Sequence, residues 1–138
     1  MSAPLLLDTC AAIWIANGQA IEQQARLEMT EAIRSGSTVY VSAITAWEIG
    51  LLVSRGRLNL LLRPDIWFER LLQAPGVQLA ELSYSVLIAS SFLPGKPPRD
   101  PADRMIAATA RECGYRLMTR DRPLLDYGDQ GHVQVISC

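Results

Sequence analysis

Apolar positions recur along the chain with two alternating periods. Leu5-Leu6-Leu7 is a short apolar run that stops at Asp8-Thr9, which reads as a buried strand feeding a helix with Asp8 or Thr9 as its cap. Residues 19–34 are helical in pattern, with Ile21, Ala25, Met29, Ala32 and Ile33 on one side and Gly36 as terminator. The β-branched run Thr38-Val39-Tyr40-Val41 predicts a strand, after which Ser42 caps a helix over 43–54 carrying Ile44, Trp47, Ile49 and Leu52. A helix follows Pro64, a strand covers 77–80, and 83–92 is helical. Asp100 and Pro101 stand where the cap and first turn of a helix running to Cys113 belong, with Gly114 as its stop. Strands are expected at 115–118 and 133–136.

Strands alternating with helices predict an α/β fold, a three-layer α/β/α sandwich around a mostly parallel sheet, in a single domain over 1–138. Such sheets bind ligands beyond the carboxyl ends of their strands, near the point where strand order reverses. Residues immediately after each strand are therefore where chemistry is expected.

Composition narrows the class. The chain is 49% hydrophobic and 20% charged, with a net charge of −1, which is neither disordered nor suited to coating nucleic acid by bulk charge. Lys96 is the single lysine among 13 basic residues; the rest are arginine, whose fork matches phosphate. The three cysteines, Cys10, Cys113 and Cys138, fit no zinc spacing, and Cys10 and Cys113 are expected as buried packing residues in a reduced, cytoplasmic protein. No signal peptide or membrane-spanning stretch is expected. His132, the only histidine, reads as an exposed loop residue, which disfavours a histidine-based zinc site.

The acids change the picture. Asp8 and Asp121 each follow a predicted strand, Asp100 and Asp103 share the first turn of one helix, and Glu48 sits in the otherwise apolar Ala43-Ile44-Thr45-Ala46-Trp47-Glu48-Ile49-Gly50. Asp8 and Asp100 could each be only a helix cap, Asp103 a partner of the helix dipole, Asp121 a turn residue and Glu48 an exposed helix position. Together they suggest more: carboxylates brought close repel unless a cation intervenes, and an all-oxygen set suits a hard divalent ion, Mg²⁺ or Mn²⁺. With no loop that cradles a nucleotide, such a site points to phosphodiester hydrolysis.

The stretches Leu5-Leu6-Leu7-Asp8-Thr9, 41–50, Arg99-Asp100-Pro101-Ala102-Asp103-Arg104 with the Ile106–Ala110 run, and Leu117-Met118-Thr119-Arg120-Asp121 together resemble the PIN-domain family, and within it the VapC-like toxins. The resemblance covers almost the whole chain. It implies sheet order 3-2-1-4-5 and a metal-dependent endoribonuclease whose acids are Asp8, Glu48, Asp103 and Asp121, with Asp100 as a further ligand and Thr119 holding a water or a carboxylate. It also implies a homodimer held inactive by a cognate antitoxin, with RNA as substrate. A non-catalytic PIN-like scaffold that binds RNA or protein stands as the alternative. A receiver or haloacid-dehalogenase-like phosphatase fits less well: Cys10 replaces the second Asp that the phosphatase needs, and Lys96 lies in a Pro-rich loop. Arg99, Arg104, Arg120 and Arg122 adjoin the acids and are candidates for phosphate contact, with Arg104 alternatively paired to Asp100. The apolar segment 51–62 with Ile66, Trp67 and Phe68 is expected to form an antitoxin or dimer contact, ordinary core being the other reading.

Overall fold

A computed structural model describes residues 3–138. The elements run β1 (Leu5–Leu7), α1 (Thr9–Ala16), α2 (Gln23–Arg34), β2 (Val39–Ser42), α3 (Ala43–Ser54), α4 (Pro64–Gln73), β3 (Val77–Ala80), α5 (Tyr84–Ala89), α6 (Pro101–Cys113), β4 (Arg116–Thr119), α7 (Arg122–Asp129) and β5 (Val135–Ser137). All five strands are parallel, in the order β3-β2-β1-β4-β5. This is the anticipated α/β architecture and strand order.

β1 explains the layering. It is the central strand, so both of its faces are covered, and all three leucines are buried. Leu5 and Leu7 join α1, α2, α3 and α4 residues such as Ala11, Ala25, Ile49 and Trp67 in one apolar cluster. Leu6 points the other way and packs with Ile106, Ala107 and Ala110 of α6 and Leu124 and Tyr127 of α7. The two clusters are the two cores of the sandwich, divided by the sheet.

The sheet also fixes the site. Chain order moves outward from β1 through β2 to β3 and then returns to β4 on the other side, so the crevice where strand order reverses lies between β1 and β4. Leu7 stands opposite Met118, and the next pair in register is Asp8 and Thr119. The Asp8 N–H donates to the Met118 carbonyl at 3.1 Å, which extends the ladder to the mouth of the crevice.

Several boundaries differ from the pattern-based expectation. α2 begins at Gln23 rather than 19, and α5 stops at Ala89 rather than 92. β4 and β5 are displaced toward the C-terminus, and α7, which the hydrophobic pattern did not reveal, follows Asp121 directly. Cys10 and Cys113 are exposed, not buried, because Cys10 opens onto the cavity at the carboxyl edge of the sheet and Cys113 ends its helix; Cys138 alone is buried. His132 is half-buried, tilted over the Tyr127 ring at 5.3 Å between centroids. The segment 51–62 is mostly core: Leu58, Leu60, Leu62 and Phe68 pack on the larger cluster and Trp67 is buried, leaving Leu61 as its exposed leucine. The conspicuous apolar surface instead lies on α5 and the turn after it, where Tyr84, Leu87, Ile88 and Phe92 are exposed.

Two helical glycines have opposite surroundings. A Cβ on Gly128 would meet Val135 Cγ2 at 2.3 Å, where α7 packs on β5, whereas a Cβ on Gly50 of α3 meets nothing within 4 Å. Alanine favours a helix over glycine by up to about 1 kcal/mol, while overpacking against a stiff β-branched side chain costs about 1–3 kcal/mol. Chemical denaturation should therefore show Gly50→Ala with a raised midpoint and Gly128→Ala with a lowered one.

Candidate metal and nuclease site

The five candidate acids, Asp8, Glu48, Asp100, Asp103 and Asp121, line one open cavity of about 480 Å³ at the carboxyl edge of the sheet. Thr9, Cys10, Trp47, Leu51, Leu52, Arg55 and Arg57 complete its wall. Its size is that of a typical ligand cleft.

Three of the acids are helix caps as well as cavity residues, so the two readings of each are not exclusive. Asp8 caps α1, its Oδ1 accepting the Ala11 N–H at 2.7 Å. Asp100 caps α6, its Oδ2 accepting the Asp103 N–H at 2.9 Å. Asp121 caps α7, its Oδ2 accepting the Leu124 N–H at 3.3 Å. In each case the cap fixes one carboxylate oxygen where the chain turns from strand or loop into helix, which is at the rim of the cavity. Pro at the start of α6 and α7 pre-sets the same turn.

Hydroxyls hold two of the acids, Asp8 and Glu48. The Thr119 hydroxyl donates to Asp8 Oδ2 at 2.5 Å and accepts the Asp121 N–H at 3.0 Å, so one side chain ties the ends of β1 and β4 together. The Thr9 hydroxyl donates to Glu48 Oε1 at 2.5 Å and lies 3.0 Å from the buried Thr45 hydroxyl. Glu48 is thus held by Thr9 of α1, whose hydroxyl is itself met by Thr45 of α3. The roles of Thr9 and Thr45 carried no sequence signal beyond their proximity to Asp8 and Glu48. Trp47, Leu51, Leu52 and Arg55 had one: they stand at or beside the helical repeat that starts from Glu48.

Burial first, and like charge after it, raises the proton affinity of the cluster. Burial pushes Asp103 up to about 7, and Asp121, Asp100, Glu48 and Asp8 push it the same way. Asp8 is raised by burial despite the opposing bonds from Thr119 and Ala11, with Asp121 adding to the rise. Glu48 is raised by burial, which the Thr9 bond partly offsets, and by Asp100 and Asp8. Cys10, in the same wall, is pushed up to about 11 by burial and by Asp8, so its thiol stays protonated.

The donor set is all carboxylate and hydroxyl oxygen, which fits Mg²⁺ or Mn²⁺ rather than a softer ion. Among the described residues no three acidic, thiol or imidazole side chains already converge tightly enough to hold an ion. Carboxylates that share a cavity repel one another, and a divalent charge among them would offset that repulsion. The set therefore fits a hard cation in the chemistry of its donors.

The neighbouring arginines divide sharply. Arg104 does not pair with Asp100; it donates to the backbone carbonyls of Ser90 at 2.9 Å and Pro98 at 3.2 Å. Arg120 lies 3.8 Å over the Trp14 ring and donates to the Cys138 carbonyl at 2.6 Å. Arg122 is paired with Asp126 at 3.6 Å. Of the four anticipated phosphate contacts, Arg99 alone keeps its guanidinium out of any ion pair or hydrogen bond among the described residues. It shares a second cavity with Lys96, Asp100 and Asp103, contiguous with the acidic one through those two acids.

Because the folded-state values of Asp103, Asp8 and Glu48 lie above the unfolded ones, the metal-free fold binds more protons than the unfolded chain through the acidic range. The contribution of these groups to stability is present below about pH 4 and is lost as pH rises through about 7, where Asp103 ionises. In chelator, Asp103→Asn should raise the melting temperature at pH 8 and leave it nearly unchanged at pH 4.

A family model described as the PIN domain matches residues 5–129. The chain is 35% identical over 120 residues to the Ribonuclease VapC22 of Mycobacterium tuberculosis, covering 87% of this chain and 88% of that protein. Its fold superposes on VapBC2 from Rickettsia felis, solved bound to a promoter DNA fragment, with a TM-score of 0.72 at 13% identity and 98% of each chain covered. A toxin–antitoxin complex from Klebsiella pneumoniae matches with a TM-score of 0.56 at 20% identity over 89% of this chain and 90% of that one. The parallel five-stranded order, the acids gathered at its carboxyl edge and these relationships agree: the chain belongs to the PIN-domain family, in its VapC-like branch.

Proposed function

We propose that the chain is a metal-dependent endoribonuclease that acts as the toxin of a toxin–antitoxin pair. The observation that carries this reading is the lining of one cleft by Asp8, Glu48, Asp100, Asp103 and Asp121, beside exposed arginines. The kinship with a VapC ribonuclease supports it. A non-catalytic scaffold would gain nothing from raising three carboxyl groups out of their usual range, a pattern that clusters at reactive sites.

In this reading Asp8, Glu48, Asp103 and Asp121 hold Mg²⁺ or Mn²⁺, with Asp100 as a further ligand from the cap of α6. When bound, the cation supplies a water nucleophile near neutral pH and screens the phosphate charge. Thr119 keeps the Asp8 carboxylate fixed between β1 and β4, and Thr9 keeps Glu48 turned toward the same cavity. Asp103 reaches the same cavity from the first turn of α6, where it would add its carboxylate to the set that holds the cation. Leu51, Leu52 and Trp47 give one wall of the cavity an apolar surface.

The partners follow from the same kinship: a cognate antitoxin that covers the acidic cavity, and a second copy of this chain. The exposed apolar side chains of α5, Tyr84, Leu87 and Ile88, share one helix face by their spacing and suit contact with the second copy. No helix among the described residues is long and apolar enough to cross a membrane.

An RNA-cleavage assay tests the reading directly. Cutting should require Mg²⁺ or Mn²⁺, stop on chelation, and fall on the order of 100-fold or more in Asp8→Asn and Glu48→Gln. Equal activity in parent and variants would assign the cutting to a contaminant. Thr9→Val, which removes the hydroxyl on Glu48, should weaken Mg²⁺ binding by calorimetry roughly 10–100-fold, as loss of an outer-shell partner does.

A further inference from the structure

α3 carries more into the acidic cavity than its one carboxylate. Trp47, Glu48, Leu51, Leu52 and Arg55 recur at helical spacing, and all five line the cavity, with Arg57 just beyond the helix. Trp47 is 57% exposed, unusual for an indole in a chain whose other two are covered: Trp67 is 8% exposed and Trp14 lies under the Arg120 guanidinium. Arg55 and Arg57 are exposed and take part in none of the ion pairs among the described residues. An open aromatic ring, two free guanidinium groups and a set of acids suited to a cation thus share one wall.

We propose that Trp47 is a base-stacking platform for single-stranded RNA, with Arg55 and Arg57 gripping the adjoining phosphates, so that α3 sets which nucleotide stands beside the scissile bond. This rests on the nuclease reading and gives it a substrate class: unpaired RNA, because a base inside a duplex offers no free face to an indole. Every base has a π-face, so stacking holds the strand without a strict sequence requirement. Arginine adds phosphate recognition and a salt dependence to the same contact. The open ring favours RNA over an acidic peptide as occupant. Either anion could meet the arginines and a cation held by the acids, but an RNA strand also brings a base to the open ring, which an acidic peptide lacks.

Two measurements on the full chain test this. In Mg²⁺, cleavage of a single-stranded RNA oligonucleotide should show KM raised on the order of tenfold in Trp47→Ala and less in Trp47→Phe, which keeps a ring, with kcat changing less than KM. Replacing the stacked base by an abasic site should raise KM for the parent and add little in Trp47→Ala. In Mg²⁺ and an Asp8→Asn background, where cutting is lost, the same RNA should quench tryptophan fluorescence, and should not once Trp47→Phe is added. A Trp47→Ala protein with the parent's thermal transition and Mg²⁺ affinity but an unchanged KM would overturn the proposal and assign the ring to a protein partner. So would quenching that survives in Trp47→Phe. A parent that shows Trp47-dependent quenching yet cuts nothing would remove the nuclease reading while leaving the stacking platform standing.

Discussion

Repulsion among carboxylates is the constraint around which this molecule is arranged. Five acids face one cavity, and each must be kept there against its neighbours and against the cost of leaving water. The fold meets that cost locally. Backbone N–H groups at three helix starts take one oxygen each from Asp8, Asp100 and Asp121, and two threonine hydroxyls take oxygens of Asp8 and Glu48. What those donors leave uncompensated shows as raised proton affinity at Asp103, Asp8 and Glu48. The rest of the architecture can be read as support for this arrangement. The buried β1, flanked by β2 and β4, carries Asp8 to the crevice, and α6 brings Asp100 and Asp103 to its opposite side.

Much of this could be read from the residues. The all-leucine run at 5–7 marks a strand covered on both faces, and Ser42 and Asp100 mark helix starts with the side-chain bonds they were expected to make. The strand order and the gathering of the five acids followed from the PIN resemblance together with the rule that parallel sheets bind ligands at their carboxyl ends. Glu48 stood out because a carboxylate in an apolar helix needs a reason to be there.

Other features lay beyond the pattern. α7 begins immediately after Asp121, and its Arg122-Pro123 start resembles a loop more than a helix. The exposure of Cys10 depends on which side of α1 faces the sheet, and a helix that is apolar nearly all round gives no such direction. The segment around Leu60 and Trp67 was too apolar to be judged by composition alone; only tertiary packing shows that it covers the core of α1 and α3. Arg104 illustrates the same limit. Its spacing from Asp100 suggested an ion pair, but the carbonyls of Ser90 and Pro98 are better placed, and the side chain fastens the loop before α6 instead.

The double duty of the capping aspartates bears on how function can be dissected. Shortening Asp8, Asp100 or Asp121 to alanine removes charge from the cavity and also unties the first turn of α1, α6 or α7, so lost activity and a loosened scaffold arrive together. Asparagine retains the acceptor and separates the two effects. Glu48, in the interior of α3, and Asp103, whose side chain caps no helix, are the two acids whose removal leaves every helix end tied.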